Sequence, residues 1–344
     1  MSEMSRRTFV GNTALVSGGV IAGSARVTPA AKGDHKRRSM TDLRQALRGV
    51  HLFLTTPFGA NYELDSAGLR NNVAYHAERQ TENLTIVVGG GMGELFSLNV
   101  HEHKEMVQAA AEGARGKMPV VAGVAGGYGP AFRAARNAEQ AGADAILLFT
   151  APYWKGSVDS TFQYFRDVAN SVRIGVLVCN VHGYREAVHL EPYWPEVLRR
   201  LSSVSNVIGF EDSSGGLDVG RALGELVHDE FLWIARGDNH AQLALPAGAK
   251  AYTAAVGTFV PSACREFWQR GVSGDTDRMQ DIFRMRIKPM ARIRQLKPGY
   301  GVSGVKAALQ TLGRAGGRVR PPGIEVLTAD RPKIAQIAQE FAET

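Results

Sequence analysis

From residue 49 onward, short apolar runs rich in β-branched residues alternate with longer stretches of helical periodicity. This alternation is typical of parallel strands joined by crossover helices, because each strand is buried on both faces while the helices cover the sheet. Eight such units are present, the number that closes a (β/α)8, or TIM, barrel. The predicted strands are 50–55, 84–88, 118–123, 144–149, 174–179, 205–210, 231–235 and 250–255.

Helical stretches separate these strands and continue beyond the last of them. The chain of 344 residues is therefore predicted to contain a leader at 1–40, a barrel at 41–270 and a C-terminal helical extension at 271–344. In barrels of this kind the functional site lies at the carboxyl ends of the strands. The predicted helices include 101–115, 130–141, 159–171, 217–227, 275–295, 302–313 and 330–341.

The formal net charge of +7 is concentrated at the amino terminus. Residues 1–40 contain seven arginine and lysine side chains against two acidic ones, so the rest of the chain carries an excess of only two positive charges. Nucleic-acid-binding domains carry their basic residues on a face of the folded part. The charge distribution therefore argues against a nucleic-acid partner.

The leader itself follows the order of a twin-arginine export signal. Arg6 and Arg7 precede Phe9, a mildly apolar run extends over 10–25, and small residues at 28–31 offer a cleavage region. We expect export to the periplasm or the exterior, with no stable membrane span after processing. A cytoplasmic protein with a basic extension is the alternative.

The two cysteines, Cys179 and Cys264, are too few for a disulfide framework. They fall near the fifth and eighth predicted strands, on different sides of a barrel, which is too far apart for a disulfide bond. We therefore expect two free thiols.

Several segments occur in an order and spacing that is more specific than any one of them. The resulting pattern resembles the dihydrodipicolinate synthase / N-acetylneuraminate lyase family, and within it the branch of 5-dehydro-4-deoxyglucarate dehydratases. The resemblance covers nearly the whole chain after the leader and implies a TIM barrel that acts on a small acid, assembled as a homotetramer or homodimer. The segments are 55–58 (TTPF), 89–98 (GGGMGELFSL), 142–145 (GADA), 152–154 (PYW), 259–261 (FVP) and 297–309 (KPGYGVSGVKAAL).

Position 211 departs from that family. The segment 206–215 (NVIGFEDSSG) resembles the signature of the sixth strand, in which the family carries a lysine that condenses with a 2-oxo acid to form a Schiff base. Here the residue is Glu211, and a carboxylate cannot form an imine. Two further family positions also differ, because Met92 replaces a threonine and Cys179 replaces a tyrosine. Imine catalysis is therefore not expected.

The altered positions define the predicted site. Because strand side chains alternate, Glu211 and Cys179 should face one cavity from neighbouring strands. Backbone N–H groups of the glycine-rich loop after the second strand are expected to bind a carboxylate. We predict three catalytic residues, Glu211, Cys179 and His182, and six substrate-binding residues, Gly91, Met92, Gly93, Thr56, Arg185 and His240.

Neither a cofactor nor a metal is predicted, because no metal-binding spacing of the H-E-x-x-H type occurs. A divalent ion held by Glu211 together with His182, Asp238 or His240 remains the weaker possibility. No other lysine is expected to replace the missing nucleophile. Those considered are Lys155, Lys250 and Lys306.

Two functions remain open. The first is a lyase or dehydratase that acts on a 2-oxo acid or sugar acid without a Schiff base, with Glu211 as a general acid or base whose pKa is raised by burial. The second is a catalytically inactive relative that binds a small acid or serves a structural role. In that case Glu211 could simply pair with an arginine such as Arg185 or Arg236.

Overall fold

The computed structural model describes residues 38–79, 82–150, 156–181, 194–213 and 231–343. Eight parallel strands close a barrel in sequence order, each pairing with the next and β8 pairing with β1. The predicted fold class is confirmed. The strands are β1 Gly49–Phe53, β2 Leu84–Val88, β3 Val120–Val124, β4 Ala145–Phe149, β5 Gly175–Val181, β6 Val207–Ser213, β7 Leu232–Ala235 and β8 Ala251–Ala254.

Helices surround the barrel and extend beyond it. They agree with the predicted helices to within two residues at most ends, while the stretch 217–227 and the leader up to residue 37 lie outside the described residues. The helices are α1 Met40–Ala46, α2 Ser66–Ala77, α3 Val100–Ala114, α4 Tyr128–Gln140, α5 Val158–Asn170, α6 Trp194–Leu201, α7 Gly237–Ala244, α8 Pro261–Val272, α9 Thr276–Ile282, α10 Lys288–Gln295, α11 Tyr300–Thr311 and α12 Arg331–Phe341.

The helix predicted at 275–295 is interrupted. A π-helical turn at Phe283–Ile287 separates α9 from α10, and Pro289 lies in the first turn of α10. Proline has no backbone N–H to donate to the preceding turn, so the regular α-helical ladder cannot run through it. The interruption matters because this part of the chain contributes to the site described below.

The barrel interior is filled by apolar side chains below the strand ends. Val87, Val121, Leu147, Leu177 and Ile234 belong to one buried cluster inside the barrel, which also contains Cys179. A second, larger cluster lies between the strands and the surrounding helices. Since the interior is packed, a ligand can enter only at the open end of the barrel, where the strands terminate.

Lys306 fixes the C-terminal extension to the barrel. Its Nζ lies 2.5 Å from Glu94 Oε1 and 2.5 Å from the Arg318 carbonyl oxygen, and it is buried. Glu94 follows the loop after β2 in a left-handed conformation with φ of 52°, and it also accepts a hydrogen bond from the Arg320 N–H. These contacts give Lys306 a structural role and rigidify the loop that borders the site.

Cys179 lies in β5 and Cys264 in α8, and both are buried free thiols, as predicted. The described residues, from 38 onward, belong to one compact unit. Among the described helices, none is long and apolar enough to cross a membrane.

Candidate functional site

Glu211 lies near the end of β6 with its side chain directed into the barrel. In the strand register it is opposite Cys179 of β5, and the Cys179 thiol donates to Glu211 Oε2 across 2.9 Å. Ser213, two residues later on the same face, places its hydroxyl 2.9 and 2.8 Å from the two carboxylate oxygens. The prediction that Glu211 and Cys179 face one cavity from neighbouring strands is confirmed, and Ser213 shares the face of Glu211.

Burial dominates the electrostatics of Glu211. The side chain is only 4% exposed, and removal from water raises its pKa from 4.5 to about 7. The hydrogen bonds from Cys179 and Ser213 and the positive charge of Arg236 act in the opposite direction, while the negative charge of Asp212 adds to the rise. Near neutral pH, the group can therefore both accept and donate a proton.

The surroundings of Cys179 disfavour its thiolate form. Burial raises its pKa well above 9, and the negative charges of Glu211 and Asp212 raise it further. A nucleophilic cysteine requires the opposite environment, with a lowered pKa and partial exposure. Of the chemistry predicted for Cys179, the structure therefore supports only hydrogen-bond donation to Glu211.

Arginine pairing does not explain Glu211. Arg236 is exposed, and its guanidinium donates to the Ser213 carbonyl oxygen at 3.1 Å. No ion pair joins Glu211 to an arginine within the described ranges, and Arg185 lies outside them. The sequence suggested that Glu211 could pair with an arginine in an inactive protein, and the structure does not support this pairing for Arg236.

A cavity of about 760 Å³ opens above Glu211. Its floor is formed by side chains of the barrel interior, and its wall includes the residues that follow β7. This volume falls within the range of small-molecule sites. The residues contributed by the barrel and its loops are Phe53, Gly91, Met92, Leu147, Phe149, Cys179, Glu211, Ser213, Arg236, Gly237, Asp238, Asn239, His240, Thr253 and Ala255.

The segment after β7 contributes a second buried acid. Asp238 lies in the first turn of α7 and is 9% exposed, and burial raises its pKa from 3.8 to about 7. Its Oδ1 has no hydrogen-bond partner among the described residues. His240, on the same helix and half-buried, also lines the cavity, in agreement with its predicted position.

The glycine-rich loop reaches the cavity through only part of its length. Gly91 and Met92 line it, whereas Gly93 and Thr56 do not. Thr56 is buried behind the loop, where its hydroxyl donates to the Gly93 carbonyl oxygen at 2.8 Å. The Gly93 N–H donates to the Gly90 carbonyl oxygen. In this structure Thr56 and Gly93 hold the loop in place, and their contact with a substrate stays a prediction.

The C-terminal helices complete the cavity with charged and polar side chains. Lys288, Arg294 and Gln295 of α10 line it, together with Gly301 and Val302 of α11 and Phe283. Strand alternation could not indicate these residues, because they come from helices outside the barrel. In the sequence, these residues are marked only by their charge on a helix with Pro289 in its first turn. Charge alone does not indicate a binding site, because charged residues of helices usually face solvent.

Other predicted residues lie outside the described ranges. These are His182, Arg185 and Lys155. Within the described ranges, no group of three or more histidine, cysteine, aspartate or glutamate side chains could hold a metal ion.

The comparison with protein families is decisive about ancestry. The model of the dihydrodipicolinate synthetase family matches residues 46–341. The chain belongs to this family. The match begins within α1 and includes the C-terminal helices, so the extension that lines the cavity belongs to the family domain. The chain is accordingly a lyase-like member of an enzyme family.

Individual relatives agree with this placement. A probable 5-dehydro-4-deoxyglucarate dehydratase of Bradyrhizobium diazoefficiens is 32% identical over 278 residues, which are 80% of this chain and 86% of the relative. A protein of the same description from Rhizobium rhizogenes is 30% identical over 87% of this chain and 97% of its own length. The crystal structure of dihydrodipicolinate synthase from Bacillus clausii superposes with a TM-score of 0.76 at 23% identity, covering 87% of this chain and 99% of that one. This last likeness concerns the fold.

Proposed function

We propose that the protein is a dehydratase that acts on a 2-oxo sugar acid without a lysine Schiff base, with Glu211 as its acid–base group. The observation that carries the proposal is a carboxyl group at the floor of a ligand-sized cavity, with a pKa of about 7. A general acid–base group works best when its pKa lies near the operating pH. The names of the relatives, probable 5-dehydro-4-deoxyglucarate dehydratases, support a sugar acid as substrate.

The proposed step is an elimination of water. The ionised Glu211 carboxylate accepts a proton from the carbon next to the substrate carbonyl, where the carbonyl makes that C–H bond acidic. The electron pair left on this carbon forms a carbon–carbon double bond as the C–O bond of the adjacent carbon breaks. The departing hydroxide takes up the proton that Glu211 accepted and leaves as water. Glu211 is thereby ionised again, one water molecule is lost from the substrate, and no redox change occurs.

The neighbours of Glu211 suit this role. Cys179 and Ser213 hold the carboxylate by hydrogen bonds, and both side chains remain neutral while the proton moves. The apolar floor, which includes Phe53, Leu147 and Phe149, keeps water from the group and maintains its raised pKa. Because this function requires the ionised form, we expect the turnover rate to rise with pH through about 7.

Turnover of 2-oxo sugar acids by purified protein tests the proposal, with and without added divalent ions. Substitution Glu211→Gln should lower kcat about 10²–10⁴-fold, the usual contribution of an acid–base group. Glu211→Asp keeps the carboxyl group but withdraws it by one methylene, and should retain more activity than the glutamine variant. Undiminished turnover by E211Q would exclude Glu211 from the chemistry.

The alternative function predicts a different result. An inactive acid-binding protein would be stabilised against thermal unfolding by sugar acids that are recovered unchanged, in both the wild-type and the E211Q protein. The departures at Met92, Cys179 and Glu211 motivate this alternative, since all three alter positions that the family pattern assigns to its chemistry. We also propose export through the leader at 1–40 and a homo-oligomeric assembly.

A further inference from the structure

The cavity has two chemically different sides. The barrel side presents Glu211, Cys179 and apolar residues, whereas α10 presents Lys288, Arg294 and Gln295. With Arg236, which follows β7, three basic side chains border one space: Arg236, Lys288 and Arg294. The carboxyl groups in its lining, Glu211 and Asp238, are both buried acids with raised pKa values. Such a lining attracts anions.

None of these three basic side chains is engaged in an ion pair within the described part of the chain. Arg236 donates to the Ser213 carbonyl oxygen and Arg294 donates to the Gly301 carbonyl oxygen at 3.0 Å, so backbone atoms hold both in position. By contrast, other arginines of the C-terminal extension, such as Arg284 and Arg318, pair with carboxylates of their own surroundings. Arg294 and Asp238 stabilise each other's charge, as do Arg236 and Glu211, but no carboxylate lies within ion-pair distance of these cations in the described part of the chain.

Arg294 is the best placed of the three. It is half-buried, and its Nε bond to Gly301 leaves the two terminal nitrogens free of hydrogen-bond partners among the described residues. Gly301 places no side chain against this end of the guanidinium, whereas a Cβ there would lie 3.9 Å from Arg294 Nη2, in van der Waals contact with it. A guanidinium with two free parallel donors matches a carboxylate in bidentate geometry.

We propose that Arg294, with Lys288 at the rim, forms a second carboxylate subsite that binds the end of the substrate remote from Glu211. This subsite makes the protein selective for dicarboxylic sugar acids over monocarboxylic ones. The inference rests on the proposed function for the identity of the reacting end, but the subsite itself follows from the cavity lining. Its residues come from α10, so the C-terminal helices determine specificity while the barrel contains the acid–base group.

Binding of D-glucarate and D-gluconate tests the subsite. These six-carbon acids differ only in that one end of the first carries a carboxylate where the second carries a hydroxymethyl group. We expect the full-length protein to bind D-glucarate at least ten-fold more tightly by isothermal titration calorimetry. Substitution Arg294→Met should weaken D-glucarate binding about 10–100-fold, the effect of losing charged hydrogen bonds, and leave D-gluconate binding unchanged.

Arg292→Met is the matched control. Arg292 is an exposed arginine of the same helix that does not line the cavity, so its removal changes the net charge equally and should change neither affinity. Arg294→Lys keeps the charge but loses the fork of donors and should give an intermediate loss. Lys288→Met should give a smaller loss, about 2–5-fold, again confined to the diacid.

Three results would overturn the subsite: equal affinity of the wild-type protein for the two acids, no binding of either acid, or an equal loss of both on substitution of Arg294. Circular dichroism establishes whether each variant is folded. If the Arg294→Met protein does not fold, the affinities of the Lys288→Met protein for the two acids test the subsite. Repeating the titrations with E211Q separates the subsite from catalysis. Diacid selectivity that persists in E211Q shows that the subsite does not depend on turnover. Diacid selectivity in a wild-type protein that turns over none of the sugar acids supports the subsite while refuting the proposed function.

Discussion

Replacement of Glu211 by glutamine should increase the stability of the protein at alkaline pH. In the folded protein burial raises the pKa of Glu211 from 4.5 to about 7. The unfolded chain therefore releases this proton at a lower pH than the folded protein does. The free energy of unfolding falls with rising pH wherever the folded protein still holds the proton and the unfolded chain has lost it. The destabilisation is absent well below pH 4.5, grows between pH 4.5 and 7, and is constant above.

The magnitude follows from the shift. Each pKa unit corresponds to about 1.4 kcal/mol, so the ionisable Glu211 lowers the free energy of unfolding by about 3 kcal/mol at pH 8 and by about 1 kcal/mol at pH 5. Glutamine removes this term and loses about 1 kcal/mol of hydrogen bonding to Cys179 and Ser213, independent of pH. E211Q should therefore be about 2 kcal/mol more stable than wild type at pH 8 and nearly equal to it at pH 5.

Urea unfolding at several pH values between 5 and 8, followed by the fluorescence of the buried Trp194 and Trp233, measures this difference. The decisive quantity is the difference in the free energy of unfolding between variant and wild type. This gap should change by about 2.5 kcal/mol between pH 5 and pH 8. Glu105→Gln makes the same chemical change at an exposed position of α3 and serves as the control. A gap that stays constant within about 0.5 kcal/mol would show that Glu211 is not desolvated in the folded protein.

Three further predictions concern other parts of the chain. Treatment with pyruvate and borohydride should leave the intact mass unchanged, because position 211 carries a carboxyl group, which cannot form an imine; an adduct that disappears in Lys288→Met would show that the cavity rim forms an imine. Lys306→Met should lower the free energy of unfolding by about 3–5 kcal/mol in urea, since it leaves the buried Glu94 carboxylate without its cation; adding Glu94→Gln should recover part of this loss. Changing both Arg6 and Arg7 to lysine should retain the full-length protein in the cytoplasm on cell fractionation, and undisturbed export would contradict a twin-arginine signal.

The fold and the centre of the site could be predicted because both depend on local rules. A strand period of two and a parallel register are sufficient to place Glu211 beside Cys179, and the structure confirms their contact. The same rules could not reveal that Thr56 turns behind the glycine-rich loop. Its hydroxyl has a choice between ligand and backbone, and the Gly93 carbonyl oxygen satisfies it.

The residues of the C-terminal helices could not be predicted for a different reason. Whether Arg294 faces solvent or a cavity depends on how α10 packs against the barrel, which is a property of the whole assembled chain. The π-helical turn at Phe283–Ile287 precedes α10, and such a turn changes which residues lie on a given side of the helix that follows. A helical periodicity continued uniformly from 275 to 295 would therefore assign the wrong face to Lys288 and Arg294.

The charge at position 211 determines what the rest of the cavity has to supply. A lysine amine would attract an acidic substrate to the floor of the barrel, whereas an ionised glutamate repels it. An acid substrate can approach Glu211 only if cations elsewhere offset this repulsion, and Coulomb attraction between unlike charges is strong where the walls exclude water. Arg236, Lys288 and Arg294 are placed to do so. We therefore propose that Glu211 and the cationic lining contributed by α10 are two parts of one electrostatic arrangement, in which the substrate is anchored at its remote end and presents an uncharged C–H bond to Glu211.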